Sequence, residues 1–159
     1  MNRHLLALLA LATLAACEKK EAAPAPVAEV SVTDAIIRLA PIEGRPSAAY
    51  FTVHGGKVPD RLEAVTSPKA ATIDLHESKM QGGVMSMSPL TGVDVPAGGA
   101  VTFKPGGNHA MLFGMDPAVK AGASVPLTFA FQSGKKVEIE AKAIAAGDEM
   151  PTMEHEGHQ

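Results

Sequence analysis

The chain has 159 residues, with 14 Lys and Arg against 17 Asp and Glu, and a formal net charge of −3. It has no basic stripe and only 4% aromatic residues, so we expect no nucleic acid among its partners. A single cysteine excludes a disulfide bond within the chain, and the length suits one domain with a sizeable core.

The chain begins with a predicted export signal, residues 1–16, in which Arg3 precedes a short apolar run that ends in small residues. The run is too short to span a bilayer as a stable helix. Cys17 follows directly, and the resulting L-A-A-C resembles the bacterial lipobox, in which cleavage leaves the cysteine as a lipid-bearing N-terminus. The alternative is an ordinary signal peptide with an accidental cysteine. We predict lipidation at Cys17.

Lipidation implies a periplasmic protein that is anchored to a membrane through its N-terminal lipid. Glu18, rather than Asp, follows the cysteine, which favours the outer membrane over the inner membrane in a Gram-negative cell. Residues 17–29 are charged and rich in Ala and Pro, a composition typical of an extended tether between the lipid and the domain.

The C-terminal tail, residues 147–159, has no apolar periodicity and is predicted to be disordered. It nevertheless concentrates side chains that can bind metals. Two interpretations stay open. The segment is either a solvated tail or an auxiliary copper site that also binds Cu(II). The residues concerned are Met150, Met153, His155 and His158.

Residues 30–146 are predicted to form a single all-β domain, because short strand-like segments alternate with Gly, Pro and Asp turns and no helical stretch intervenes. The clearest hairpin is the last one, where Leu127, Phe129 and Phe131 alternate on one face before the Ser133-Gly134 turn. Eight or nine short strands at regular spacing favour a Greek-key β-sandwich or barrel. The segments, in order, are VSVTDAIIRL, AAYFTVHG, RLEAVTS, ATIDLHE, VMSMSPL, VDV, AVTFK, HAMLF, LTFAF and VEIEAKA.

Two imidazoles and two thioethers in the middle of the chain are a donor set suited to Cu(I). His109 and Met111 would point to the same side of a strand, about 6.5–7 Å apart, and could chelate one ion. Met85 and Met87 likewise share a face, so the residues by themselves do not choose between them. His76, at the end of the preceding strand, is a plausible further ligand.

Each of these residues also has a simpler explanation. A methionine on a strand more often fills a core than binds a metal, and a histidine at a strand end is more often a surface residue. The same reasoning does not dismiss Met80 or Met115 as ligands. Asp74 and Glu77 flank His76 and are candidates to orient a ligand from outside the coordination shell.

The spacing of four residues resembles that of the periplasmic copper chaperones called PCuAC (the DUF461 family). His76, Met87 and the His109-Ala110-Met111 tripeptide match the family pattern H-x10-M-x21-H-x-M. The surrounding sequence is also similar to the family, in the segments VPAGG, KPGGNHAMLFG and GGVMSM. Near the start of the domain, so are VTDA and AAYFTV. The likeness runs from about residue 30 to residue 143. A Trp that family members commonly carry in the first strand is absent, since the chain has no Trp.

The resemblance implies a cupredoxin-like fold in which His76, Met87, His109 and Met111 hold Cu(I). It also implies a copper-accepting partner: the CuA centre of cytochrome c oxidase, reached directly or through a thiol-bearing Sco-type protein. Transfer by ligand exchange requires no covalent chemistry, so we expect a protein that is not an enzyme.

Three other functions are alternatives to copper delivery. The first is a lipoprotein that sequesters copper without handing it on. The second is electron transfer by a blue-copper protein, which needs a Cys thiolate beside two His, and residues 30–146 contain no Cys. The third is a metal-free structural β-sandwich lipoprotein. Catalysis finds little support, since no G-x-S-x-G motif accompanies the histidines.

Overall fold

The computed structural model describes residues 29–150, and the predicted signal, Cys17, most of the tether and the tail residues Met153, His155 and His158 lie outside the described residues. Ten strands and no helix form this part of the chain, which confirms the all-β prediction. The strands are β1 Ser31–Arg38, β2 Ser47–His54, β3 Asp60–Thr66, β4 Thr72–Gln81, β5 Val84–Leu90, β6 Val93–Val95, β7 Ala100–Phe103, β8 Asn108–Phe113, β9 Ser124–Phe131 and β10 Lys136–Ile144.

Each of the ten predicted segments corresponds to one of the ten strands, so the stated count of eight or nine is low. β6 is only three residues long and pairs with β3 from Asp60↔Val95 to Leu62↔Val93. The predicted VDV segment is this strand, which pairs with β3 over all three of its residues.

The strands form one continuous sheet in the order β5-β4-β8-β2-β1-β10-β9-β3-β6. β2 is central to it, because its first residues pair with β8 and its last residues pair with β7 along the same edge. β1 pairs with β10 in parallel, and the other pairs between described strands are antiparallel.

The core follows from strict alternation along β9, where Val125, Leu127, Phe129 and Phe131 are buried and the residues between them are not. Phe51 and Phe103 stack with ring centroids 4.2 Å apart. Phe51 meets Phe129 edge-on at 4.8 Å, an arrangement that aromatic pairs favour.

A bulge interrupts β1, where the register to β2 shifts between Thr33 and Ile36 and Asp34 has a φ of 57°. Aspartate tolerates this left-handed conformation better than most residues do. After the bulge Ile36 and Ile37 are both buried, so the alternation that begins the strand does not continue through it.

Asp148, which the sequence assigns to the predicted tail, is hydrogen-bonded to the domain. The backbone amide of Ala145 donates to Asp148 Oδ2 at 2.8 Å, and Arg38 Nη2 donates to the Asp148 carbonyl at 3.0 Å. The predicted tail therefore begins with a turn that is tied to β1. No helix within residues 29–150 is long and apolar enough to cross a membrane.

Candidate metal centre

The candidate centre lies on β5, β4 and β8, at one edge of the sheet. In an antiparallel pair, residues directly opposite each other have side chains on the same face. The register places His76 opposite His109 and Asp74 opposite Met111. Met87 lies opposite Ser78, two residues from His76 on the same face of β4. The four residues of the family pattern thus share one face across three strands.

His109 is oriented by the turn that precedes its strand. Its Nδ1 lies 3.0 Å from the Gly107 carbonyl oxygen, and because a carbonyl can only accept, Nδ1 carries the proton and donates it. In the neutral form of the ring, Nε2 then keeps its lone pair. Metal-binding histidines usually hold their second nitrogen in this way.

Met87 meets His109 directly, with Sδ 3.3 Å from Nε2. With the proton on Nδ1, both atoms offer lone pairs and neither supplies a hydrogen for a bond between them. The structure therefore brings a nitrogen and a sulfur donor to the same point. This contact distinguishes Met87 from Met85, which alternation along β5 leaves equal.

His76 is the second imidazole of the centre, with its ring centroid 5.9 Å from that of His109 and the planes inclined by 30°. Its Nδ1 is buried and has no hydrogen-bond partner among the described residues. Leaving a buried polar atom unsatisfied costs about 1–3 kcal/mol, and a bound ion is one way to satisfy it. Met111 is half-buried on the same face, one alternation from His109.

The remaining candidates fall into different places. Met115 packs against the hydrophobic core and lines a cleft of about 370 Å³ that includes none of the four residues of the family pattern. Met80 and Met85 pair with each other nearer the end of the β4–β5 hairpin. Met150 is described but belongs to no strand.

The two carboxylates beside His76 have different positions. Glu77 lies on the opposite face of β4 and forms an ion pair with Lys79, with 2.8 Å between Oε2 and Nζ. Asp74 shares the face of His76. Within residues 29–150 no three His, Cys, Asp or Glu side chains come together. The Gly107 carbonyl is the contact that sequence reasoning missed, and its signal was the glycine pair two residues before His109.

The comparisons with known proteins agree with this architecture. Residues 30–143 match the family described as "Putative lipoprotein LpqE-like". The chain belongs to this family. It is 34% identical over 70 residues to "Putative lipoprotein Lxx21020" of Leifsonia xyli subsp. xyli (strain CTCB07). That alignment covers 43% of this chain and 42% of the relative, so the match spans about two fifths of the relative's length.

Two solved structures share the fold. A structure named "Copper-bound PCuAC domain from PmoF2" has a TM-score of 0.61 at 25% identity, covering 75% of this chain and 95% of that domain. The solution structure of "CuI-DR1885" from Deinococcus radiodurans has a TM-score of 0.58 at 26% identity, covering 81% and 85%. The predicted resemblance to PCuAC and the cupredoxin-like β-sandwich are both confirmed. This chain therefore has the fold of a copper-bound PCuAC domain.

Proposed function

We propose that this protein is an extracytoplasmic metallochaperone that binds Cu(I) through His76, Met87, His109 and Met111. The observation that carries the proposal is the 3.3 Å contact between Met87 Sδ and His109 Nε2, on a face that also bears His76 and Met111. The copper-bound PCuAC domain and CuI-DR1885 support it as relatives of the same fold.

The donor chemistry favours Cu(I) over harder cations. Thioethers are soft ligands that select Cu(I), and imidazole adds affinity. Thioethers and imidazoles bind a metal in their neutral forms, so the four donors would add no negative charge to the site. Such a site leaves the single positive charge of Cu(I) uncompensated, which suits reversible binding.

Delivery, rather than storage, is supported by the exposure of one ligand. Met87 remains 52% exposed, whereas His76, His109 and Met111 are half-buried. An incoming donor from a partner can therefore approach from the Met87 side. In the proposed exchange the partner's donor binds as the Met87 sulfur leaves, and copper stays Cu(I) throughout.

The setting of this exchange is the periplasm, with the domain tethered through a lipid on Cys17. Membership of a family described as lipoproteins supports the anchor. We propose as acceptor the CuA subunit of cytochrome c oxidase or a Sco-type chaperone. Ligand exchange makes and breaks only coordination bonds, so the protein acts without enzymatic catalysis. We also propose that the lipid anchors the protein in the outer membrane. The region Met150–His158 is proposed to capture Cu(II).

The test is an anaerobic Cu(I) titration of the full chain against a competing chelator, combined with X-ray absorption at the copper edge. A Cys17→Ser background removes the one thiol that would compete. We expect one tightly bound Cu(I) with both nitrogen and sulfur neighbours. In His109→Ala the affinity should fall by at least about tenfold, or ~1.4 kcal/mol.

His54→Ala is the matched control for this test. His54 ends β2, and its Nε2 lies 2.9 Å from Thr33 Oγ1 on β1. β1 and β8 pair with opposite edges of β2. The control should bind copper as the Cys17→Ser protein does. A first coordination shell without sulfur, or unchanged affinity in His109→Ala, would contradict the proposed ligands.

A further inference from the structure

The β4–β5 hairpin continues past the sheet. β8 stops pairing with β4 at Glu77↔Asn108, while β4 and β5 continue to Gln81↔Val84. We call residues 78–87 the hairpin tip. Gly82 and Gly83 connect its strands with φ of 57° and 81°, the values of a two-residue type I′ turn. This turn holds the register of the tip, so opposite residues stay opposite.

The tip exposes two methionines to solvent. Met80 is 62% exposed and Met85 is 56% exposed, and the two are directly opposite in the register. Both lie on the face of Met87, because alternation puts Met85 and Met87 on one side of β5. Side chains this exposed bury too little surface to stabilise the fold appreciably.

Charge is segregated to the other face of the tip. Lys79 and Glu77 form their ion pair there, beside Ser86 and Ser88. On the methionine face, the residue opposite Met87 is the uncharged Ser78. This face therefore offers thioether sulfurs to solvent with no carboxylate or ammonium group on the tip beside them.

We propose that Met80 and Met85 form a second, outer Cu(I) site that exchanges the ion with Met87. Opposite residues in an antiparallel pair have Cβ atoms about 4.5–5.5 Å apart, and the flexible methionine side chain lets two sulfurs reach one ion. Met85 and Met87 are about 6.5–7 Å apart along the strand, a single transfer step. The inference rests on the proposed function, since the outer site exchanges copper with the inner one.

The transfer moves coordination bonds and no electrons. Cu(I) held by the sulfurs of Met80 and Met85 gains the Met87 sulfur, then loses one outer sulfur as a histidine nitrogen binds. The outer pair supplies two donors and the inner centre four, so the inner centre holds the ion more tightly. The outer site thus captures Cu(I) on loading, and it meets an acceptor first on release.

The experiment follows the methionine methyl groups of the full chain by NMR, with ¹³C-methyl methionine in the Cys17→Ser background. Ag(I) serves as the probe because it shares the preference of Cu(I) for sulfur and is not oxidised in air. The first equivalent should shift the methyl signals of Met87 and Met111. The second should shift those of Met80 and Met85, while Met115, which packs on the core, stays in place.

The matched variant is Met80→Leu with Met85→Leu, which keeps side-chain volume and removes both sulfurs. We expect the first equivalent to bind this variant with unchanged affinity. Transfer of copper from the loaded variant to a soluble thiol acceptor should slow by about tenfold or more, or ~1.4 kcal/mol in the activation barrier. An unmoved Met115 signal and an unchanged melting temperature verify that the variant is folded.

The outcomes separate the two proposals. If Met87 and Met111 shift but a second equivalent leaves Met80 and Met85 in place, or moves only Met150 and Met153, the outer site is wrong and the proposed function stands. If the double variant transfers copper at the original rate, the outer site has no role in exchange and the inference fails. If Met87 and Met111 do not shift at all, the proposed function fails with it.

Discussion

At the scale of single residues, His109 shows how a backbone contact prepares a side chain for a role. The Gly107 carbonyl accepts from Nδ1 at 3.0 Å, which leaves the Nε2 lone pair directed at Met87. This orientation of His109 needs no charged partner. It needs only a turn that brings a backbone carbonyl oxygen to the imidazole ring. The turn is Pro105-Gly106-Gly107, and Gly106 has the φ of 78° that glycine adopts without strain.

Two methionines on the same strand provide a matched test of the inner centre. In the Cys17→Ser background, Met87→Leu should weaken binding of the first Cu(I) by about tenfold, or ~1.4 kcal/mol, because it deletes the sulfur beside His109. Met85→Leu removes a sulfur two residues before Met87 on the same face of β5. This variant should leave the affinity for the first Cu(I) unchanged. Chelator competition measures both, and equal losses in the two variants would contradict the assignment of Met87.

At the scale of elements, Asp60 connects β3 to the turn between β9 and β10. Its carboxylate accepts from the Ser133 hydroxyl at 2.6 Å and from the Ser133 amide at 3.1 Å. Burial raises the pKa of Asp60, but these hydrogen bonds and one from the Arg61 amide outweigh it and hold the pKa below its ordinary value. The ionised carboxylate is therefore the form that stabilises the fold.

This lowered pKa makes the free energy of unfolding depend on pH. A carboxyl group with a lowered folded-state pKa stabilises the protein above its ordinary pKa, and the stabilisation is lost as pH falls through the lowered value. Ser133→Ala should lower the free energy of unfolding at pH 7 by about 0.5–1.5 kcal/mol, with a smaller difference from the unmodified chain at pH values below the lowered pKa of Asp60. Urea unfolding across pH measures this. Ser88→Ala, exposed on β5, should show neither effect.

Gly55 marks a close approach between β2 and the loop from β6 to β7. A Cβ at this position would collide with the Pro96 carbonyl oxygen, and the Gly55 amide already donates to the Gly99 carbonyl at 2.7 Å. Gly55→Ala should therefore destabilise the fold by about 1–3 kcal/mol, as overpacking does. Gly147→Ala, with no atom near the added methyl group, is the control for thermal unfolding. Equal melting temperatures in the two variants would contradict the proposed clash.

At the scale of the whole molecule, the candidate centre lies at one edge of the sheet, away from the packed Phe51, Phe103 and Phe129 cluster. The edge position lets the β4–β5 hairpin extend past β8 without disturbing the core. A partner can therefore reach the methionines while the hydrophobic core stays closed.

Delivery and sequestration differ in the cell rather than in the fold. Under copper limitation, a strain lacking this chain should assemble less cytochrome c oxidase, and added copper should restore it. The wild-type chain should complement the deletion, whereas His109→Ala should not. Oxidase activity and CuA content measure the outcome. Full assembly in the deletion strain would point to sequestration instead.

The amino-acid sequence by itself determined the all-β class, the strand segments and the shared face of His109 with Met111, because alternation within one strand is a local property. Alternation left Met85 and Met87 equal and His76 merely plausible, and the family spacing was needed to select Met87 and His76. Only the tertiary structure decided the cross-strand register, His76↔His109 and Ser78↔Met87, which brings residues distant in the chain to one face. Register depends on how whole strands pair, so no local pattern contains it.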